Sequence, residues 1–148
     1  MAVYNPEPGT IRWRIHLRSA PEKVYDLIAT DEGRSRFWAA KTEESASEIH
    51  WEFPGGLEGS MKVYEKQRPY RFVCEYISES TVTFEISNDG RSGTDLTVTN
   101  SNVPEREMTE TIAGWGSVLM NLKAVADHCV DLRNHDKTRT WEHGFFEN

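Results

Sequence analysis

The sequence predicts an α+β fold with six antiparallel strands, two short helices after the first strand and one long C-terminal helix. Three observations indicate this fold. Residues 11–18 alternate strictly between apolar and polar side chains, and residues 48–100 keep a period of two through five runs. Residues 108–132 then carry apolar side chains every three or four positions. A period of two is typical of strands, and a period near 3.6 is typical of an amphipathic helix.

The first strand, IRWRIHLR, has one apolar face and one cationic face. The apolar side chains are Ile11, Trp13, Ile15 and Leu17, and the others are Arg12, Arg14, His16 and Arg18. We expect the apolar face to point inward, because burying unpaired cations is costly. In the alternative, the cationic face lines a cavity and is matched by an acidic ligand or by acids of neighbouring strands, namely Glu52, Glu65, Glu75 and Glu85.

Two short helices follow the first strand. Ser19 is a candidate N-cap and Pro21 suits the first helical turn of the run EKVYDLIA. Thr30 is the candidate N-cap of a second helix, which leads into RSRFW. The chain is therefore predicted to make two small helices in tandem before the sheet continues.

Five alternating runs predict a meander of antiparallel strands. They read EIHWEF, GSMKVYEKQ, YRFVCEYIS, STVTFEIS and GTDLTVTN. The breaks between them fall at 54–56, 68–69, 79–80 and 88–90. The last break, Asn-Asp-Gly, is a strong hairpin signal. With the first strand, the meander gives six strands.

Composition limits the classes of function. The chain has 148 residues and a formal net charge of −7, so we expect no nucleic-acid partner, because such binding depends on a basic surface. Cys74 and Cys129 form no disulfide framework, and no signal peptide or membrane-spanning run is evident. We therefore expect a cytoplasmic protein without membrane insertion.

The chain is predicted to form a single domain over residues 1–148, with a core at about 11–132. The tail, residues 134–148, carries Trp141, Phe145 and Phe146 without a clean period. The sequence does not indicate where this tail packs.

Five stretches carry a resemblance to a known family: APEKVYDLIATDEGRSRFW, GGLEGSMKVYEKQRPYRFVCEY, TVTFEI, GTDLTVTN and ETIAGWGSVLMNLKAVADH. Together they resemble the bacterial proteins similar to the activator of the heat-shock-protein-ninety ATPase, in the SRPBCC superfamily. The most specific pieces are Ala20-Pro21 with Val24, Phe37-Trp38 and Gly114-Trp115. The resemblance implies a helix-grip fold (birch-pollen-allergen-like, or START-like), in which a curved six-stranded antiparallel sheet wraps around the long C-terminal helix and leaves a cavity between them.

The first strand departs from the family pattern. Relatives usually place an apolar residue at the position that here is Arg18. A gap-free match would therefore turn the cationic face inward, unless a bulge resets the alternation.

Several aromatic and apolar side chains are candidates for a ligand-binding cavity. They are Trp13, Trp38, Trp51, Phe53, Tyr76, Phe84, Met108, Ile112, Trp115 and Leu119. Small-molecule sites are mostly apolar concavities with a few polar groups, so the expected partner is a small apolar or aromatic molecule. The competing interpretation is that these residues simply form the core. Trp38 and Met108 are expected nearest the cavity mouth.

Gly114 and Gly116 interrupt the long helix, and each costs about 1 kcal/mol relative to alanine. Either close approach of the sheet or room for Trp115 and a ligand would account for them.

No catalytic residue, metal ligand or cofactor is assigned. The five histidines are scattered, and no serine or cysteine has the sequence context of an activated nucleophile. His128, Asp131 and His135 are spaced by about one helical turn, but a solvated helix end is the favoured interpretation.

Three hypotheses about function remain. The first is a ligand-binding domain with its pocket between the sheet and the C-terminal helix. The second is a cochaperone-like protein-interaction module, although a chaperone partner is disfavoured because the separate stimulating domain of the eukaryotic relatives is absent from this sequence. The third is an enzyme of the polyketide cyclase or hydrolase type. The pattern is also compatible with a homodimer.

Overall fold

The computed structural model describes residues 6–148. Seven strands and three α-helices account for most of them. The strands are β1 (Ile11–Leu17), β2 (Lys41–Ser45), β3 (Glu48–Glu52), β4 (Glu58–Gln67), β5 (Arg71–Tyr76), β6 (Ser80–Asn88) and β7 (Thr94–Ser101). The helices are α1 (Pro21–Ala29), α2 (Asp31–Phe37) and α3 (Met108–His128). This element order has the predicted α+β class, with one strand more than expected.

All seven strands belong to one antiparallel sheet with the order β1-β7-β6-β5-β4-β3-β2. The predicted count of six is wrong because β2 was missed. Its sequence, KTEES, has a single buried side chain, Thr42, which pairs with Trp51 of β3. A short, charged strand at the edge of a sheet resists pairing with another chain, and it leaves almost no apolar alternation to detect.

The apolar face of β1 points into the protein. Ile11 and Leu17 are buried, and Trp13 and Ile15 pack against the core. Of the opposite face, Arg14 is exposed, the Arg12 Nε donates to Thr99 Oγ1 over 3.3 Å, and the His16 Nε2 lies 2.8 Å from Asp89 Oδ2. The cationic face therefore does not line the interior.

The two short helices begin at different kinds of cap. The N-cap of α1 is Ala20 with Pro21 in the first turn, so the prediction that Ser19 caps this helix is wrong. Ser19 instead donates its hydroxyl to Asp127 at the end of α3 over 2.8 Å. Thr30 caps α2 as expected, accepting from the Gly33 N–H over 3.0 Å.

Gly33 allows α1 and α2 to pack closely. A Cβ at this position would lie 2.4 Å from backbone atoms of Leu27, which real side chains do not tolerate. The tandem arrangement therefore requires a glycine here.

The long helix is shorter than its apolar pattern predicted. Cys129 takes a left-handed conformation, with φ of 53°, and its N–H donates to Val125 O over 3.2 Å. A left-handed residue after the last turn is a common helix ending. Leu132 therefore lies beyond the helix, and it is exposed.

The core lies between the concave face of the sheet and the three helices. Among its largest fully buried side chains are Trp51, Phe72, Phe84, Leu96 and Leu122, which come from both layers. Within residues 6–148, no helix combines the length and the apolar character that crossing a membrane requires.

Candidate functional site

A cavity of about 330 Å³ lies between the sheet and α3. Its walls come from the end of α2, the loop after β3, the ends of β5 and β7, the start of β6, α3 as far as Asn121 and the C-terminal tail. Four of the aromatic side chains that border it are Trp38, Phe53, Tyr76 and Trp115. The position agrees with the space that the resemblance implied between sheet and helix.

Trp38 is the centre of the aromatic cluster behind this cavity. It ends α2, and its ring lies 4.6 Å from Trp51, 5.5 Å from Phe84 and 5.7 Å from Trp115, measured between ring centroids. Such edge-on and tilted contacts between aromatic rings are favourable beyond simple burial. The cluster makes the inner wall of the cavity rigid and apolar.

Hydrogen bonds fix the indole rings of Trp38 and Trp115 at the cavity. The Trp38 Nε1 donates to the Tyr76 hydroxyl over 3.1 Å, and the Trp115 Nε1 donates to Asn100 Oδ1 over 3.0 Å. The Asn100 amide donates in turn to Ser80 Oγ over 3.0 Å. Burial raises the pKa of Tyr76, so its phenol stays neutral at physiological pH.

The α3 face toward the cavity is small and partly polar. It includes Gly114 and the residues three, four and seven positions after it, namely Ser117, Val118 and Asn121. A Cβ at Gly114 would meet no atom within 4 Å, so the sheet does not approach this glycine closely. The missing side chain leaves room in the cavity, which favours the second of the two explanations for Gly114.

Asn121 has an unusual environment for a buried amide. Its side chain is only 5% exposed and borders the cavity. Within the described part of the chain, no group forms a hydrogen bond with it. Buried amides normally have partners, so this amide is available to a bound molecule.

Glutamates and the tail form the mouth of the cavity. Glu107, Glu110 and Glu142 border it together with Trp141. The Trp141 Nε1 donates to Glu110 Oε1 over 2.7 Å, and Ser78 Oγ donates to Glu107 Oε1 over 2.8 Å. The mouth therefore carries several carboxylates beside an indole ring.

The tail is held on the body by Arg133 and by a backbone contact further on. Arg133 is 7% exposed, and its guanidinium donates to Ala39 O over 3.0 Å and to Ser35 O over 2.9 Å. Ser117 of α3 donates its hydroxyl to Phe146 O over 2.8 Å. The tail, whose position the sequence did not indicate, therefore lies across the cavity mouth.

A second recess of about 650 Å³ adjoins the first and shares Phe53, Pro54, Glu142 and Asn148 with it. Its other walls are largely polar or charged and include Arg133, His135, Asp136, Lys137, Thr140 and His143. Residues of the tail border both spaces.

The sequence-based candidates fall into three groups. Trp38, Phe53, Tyr76 and Trp115 border the cavity. Trp51, Phe84 and Leu119 are buried in the core and do not border it. Trp13, Met108 and Ile112 are partly buried and pack against the core, also away from the cavity. Met108 is therefore not at the mouth, and Trp38 is buried in the wall.

Sequence reasoning missed Asn121, Ser117, the three glutamates at the mouth and Trp141. One signal was present: Ser117 and Asn121 follow Gly114 at helical spacing, so they share its face of α3. Nothing in the sequence placed Trp141 beside Glu110, because the contact depends on the path of the tail.

Two polar clusters lie outside the cavity. Asp131 Oδ2 lies 2.6 Å from His135 Nε2, and Asp131 Oδ1 accepts from Arg133 Nε over 3.0 Å. Desolvation raises the pKa of Asp131, but these hydrogen bonds outweigh it and lower the pKa to about 2. On β3 and β4, the ligand atoms of His50, Glu52 and Glu58 lie within 4.8 Å of one another.

The family model described as Activator of Hsp90 ATPase homolog 1-like protein matches residues 18–127 of the chain. This span runs from the end of β1 to the last turn of α3, so the tail across the cavity mouth lies beyond it. The search among curated proteins gives no match.

Solved structures share the fold at low sequence identity. The Aha1 dimer from Colwellia psychrerythraea has a TM-score of 0.72 at 22% identity, covering 80% of this chain and 96% of that one. Protein SSP2350 from Staphylococcus saprophyticus has a TM-score of 0.71 at 16% identity, covering 82% and 93%. DynU16, from the dynemicin biosynthetic locus, has a TM-score of 0.67 at 17% identity, covering 80% and 47%.

Proposed function

The chain belongs to the family of proteins similar to the activator of the Hsp90 ATPase, and we propose that it binds a small hydrophobic or aromatic ligand in the cavity between its sheet and α3. The observation that carries this proposal is the cavity of about 330 Å³ beside Trp38, Tyr76 and Trp115. That volume is typical of the lower range of ligand pockets, which are mainly apolar with a few polar groups.

Two further features support the proposal. Gly114 keeps the cavity open at a cost in helix stability of about 1 kcal/mol relative to alanine, and no close packing requires that glycine. The hydrogen bonds of Trp38 and Trp115 hold the aromatic walls in place before any ligand arrives. A preformed site loses less conformational entropy on binding.

One solved structure with the same fold gives weak support for the binding of a small molecule. DynU16 comes from a biosynthetic locus, and binding of a small molecule is compatible with such a context. We further propose that the whole chain acts as one cytoplasmic binding domain. The exposed thiol of Cys129, which is free, is typical of a reducing compartment.

Two leucine substitutions in α3 test the proposal. Gly114→Leu places a side chain in the cavity, whereas Gly116→Leu adds the same side chain at a glycine that does not border it. A Cβ at either position would meet no atom within 4 Å, so both variants are expected to fold. The probe is 2-(1-naphthyl)ethanol, a neutral aromatic alcohol, and binding is measured by isothermal titration calorimetry.

We expect one-to-one binding of the alcohol to the unmodified protein and to Gly116→Leu, and at least about a tenfold loss of affinity in Gly114→Leu. Equal affinity in both variants would place the bound probe elsewhere and overturn the proposal. The proposal is also overturned if the unmodified protein binds neither this alcohol nor naphthyl compounds that carry a different polar group.

A further inference from the structure

The mouth of the cavity carries carboxylates, and the described residues that line the cavity include no cationic side chain to balance them. Glu107, Glu110 and Glu142 border it, and among the described residues that line the cavity there is no Lys, Arg or His. None of the three carboxylates forms an ion pair with a side chain of residues 6–148. With a formal net charge of −7 on the chain, the potential at this mouth attracts cations and repels anions.

The aromatic walls favour the same sign of charge. Trp38, Trp115 and Trp141 present indole rings to the cavity, and Phe53 and Tyr76 add two more rings. The face of an aromatic ring is electron-rich, so it attracts ammonium groups, and indole does so most strongly. Rings together with nearby carboxylates form the kind of environment in which organic cations are held.

A polar group inside the cavity indicates that the ligand is not a pure hydrocarbon. The Asn121 side chain is 5% exposed, borders the cavity and has no hydrogen-bond partner within the described part of the chain. Its amide can form a hydrogen bond with a polar group of a bound molecule. This observation is independent of the carboxylates at the mouth.

We propose that the cavity selects an aromatic amine that is protonated at neutral pH over neutral or anionic molecules of the same shape. The aromatic body lies between the sheet and α3, and the ammonium group lies toward the glutamates and Trp141. This inference rests on the proposed function and adds the charge of the ligand to it.

Three probes with the same ring system separate the two proposals. They are 2-(1-naphthyl)ethylamine, 2-(1-naphthyl)ethanol and 1-naphthylacetate, titrated calorimetrically against the full chain. We expect the amine to bind about tenfold more tightly than the alcohol and the acetate to bind most weakly. Added salt is expected to lower the affinity for the amine and to leave the affinity for the alcohol nearly unchanged, because salt screens only the interaction between charges.

The double variant Glu110→Gln/Glu142→Gln tests the source of the preference. A glutamine at 110 keeps an oxygen that can accept the Trp141 N–H, so the mouth is expected to keep its shape. We expect the preference for the amine, measured as the ratio of the amine and alcohol affinities in the same variant, to fall to about twofold or less. The matched control is Glu105→Gln, since Glu105 is exposed just before α3 and does not border the cavity.

The outcomes are distinguishable. If the alcohol binds and the amine has no advantage, or if the acetate binds best, the charge selectivity is wrong while the proposed function stands. If the double variant keeps the full preference, the carboxylates are not its cause, and the inference is overturned. If none of the probes binds, the proposed function fails, and the inference fails with it.

Discussion

Arg34 is a fully buried cation that the fold matches with acids and an aromatic ring. Its Nη2 donates to Asp31 Oδ1 over 2.7 Å and to Glu44 Oε1 over 3.2 Å, and its Nε donates to Thr42 Oγ1 over 3.1 Å. The guanidinium carbon lies 5.7 Å from the centre of the Trp51 ring. This one residue therefore joins α2 to β2 and supports the aromatic layer behind the cavity.

Replacing Arg34 by alanine is expected to lower the free energy of unfolding by about 3 kcal/mol, because removing one partner of a buried charge network leaves the others uncompensated. Urea unfolding followed by far-ultraviolet circular dichroism measures this change. The control is Arg36→Ala, in the same helix but exposed, which is expected to cost less than about 0.5 kcal/mol. Equal losses in the two variants would contradict the structural role of Arg34.

Individual residues also show which features of the site could be predicted from the sequence and which could not. The alternation of strands and the period of α3 predicted that Trp51, Tyr76 and Trp115 point inward, and all three are buried. Tyr76 and Trp115 border the cavity, whereas Trp51 does not. Periodicity assigns a face, but the distance of a side chain from an empty volume depends on how two layers pack.

At the scale of elements, the C-terminal tail lies beyond the span that the family model matches. The matched span ends at residue 127, and the tail then crosses the cavity mouth. Trp141 borders the cavity and is tied to Glu110, while Arg133 anchors the start of the tail in the body. The tail is therefore placed to limit exchange of a bound molecule.

Replacing Trp141 by alanine is expected to raise the dissociation rate of 2-(1-naphthyl)ethylamine about tenfold, because the variant removes one wall of the mouth and its contact with Glu110. Stopped-flow fluorescence measures this rate. Leu132→Ala serves as control, since Leu132 is exposed in the same segment and does not border the cavity. An unchanged rate in Trp141→Ala would show that the tail does not gate the cavity.

The elements that sequence predicted well are those whose pattern is strong and local. β1 and the five strands of the meander gave clear alternation, and Thr30 and Pro21 marked two helix starts. β2 was missed because an edge strand with one buried residue has no apolar period. The end of α3 was misplaced because Cys129 and Leu132 continue the apolar spacing while both are exposed.

At the scale of the whole molecule, Asp127 joins the first elements of the fold to the last. From the final turn of α3, its Oδ2 accepts from the Arg18 N–H over 2.9 Å, and its Oδ1 accepts from the Ser19 N–H over 3.0 Å. The side chain itself has no exposed surface. Spacing in the sequence could not predict this contact, because the partners are more than a hundred residues apart.

Asp127 is expected to make the whole fold sensitive to acid. Desolvation raises its pKa, but the N–H groups of Arg18 and Ser19 and the hydroxyl of Ser19 outweigh that effect and lower the pKa from 3.8 to about 2. A carboxyl whose pKa is lower in the folded than in the unfolded state stabilises the fold above its unfolded pKa. This contribution, about 2 kcal/mol, is therefore complete at neutral pH and is lost as the pH falls from about 4 through about 2.

Asp127→Asn is consequently expected to lower the free energy of unfolding by about 2 kcal/mol at about pH 7, and by much less near about pH 2, where the native carboxyl is about half protonated and the unfolded one almost fully protonated. Urea unfolding at several pH values between about 2 and about 7 measures how the free energy of unfolding changes with pH. Asp95→Asn is the matched control, because the Asp95 side chain forms no hydrogen bond within residues 6–148, and its backbone carbonyl accepts from the Ser87 hydroxyl. A loss in Asp127→Asn that stays constant across the range would mean that Asp127 acts through shape rather than charge, and the acid sensitivity would then have to arise at another carboxyl.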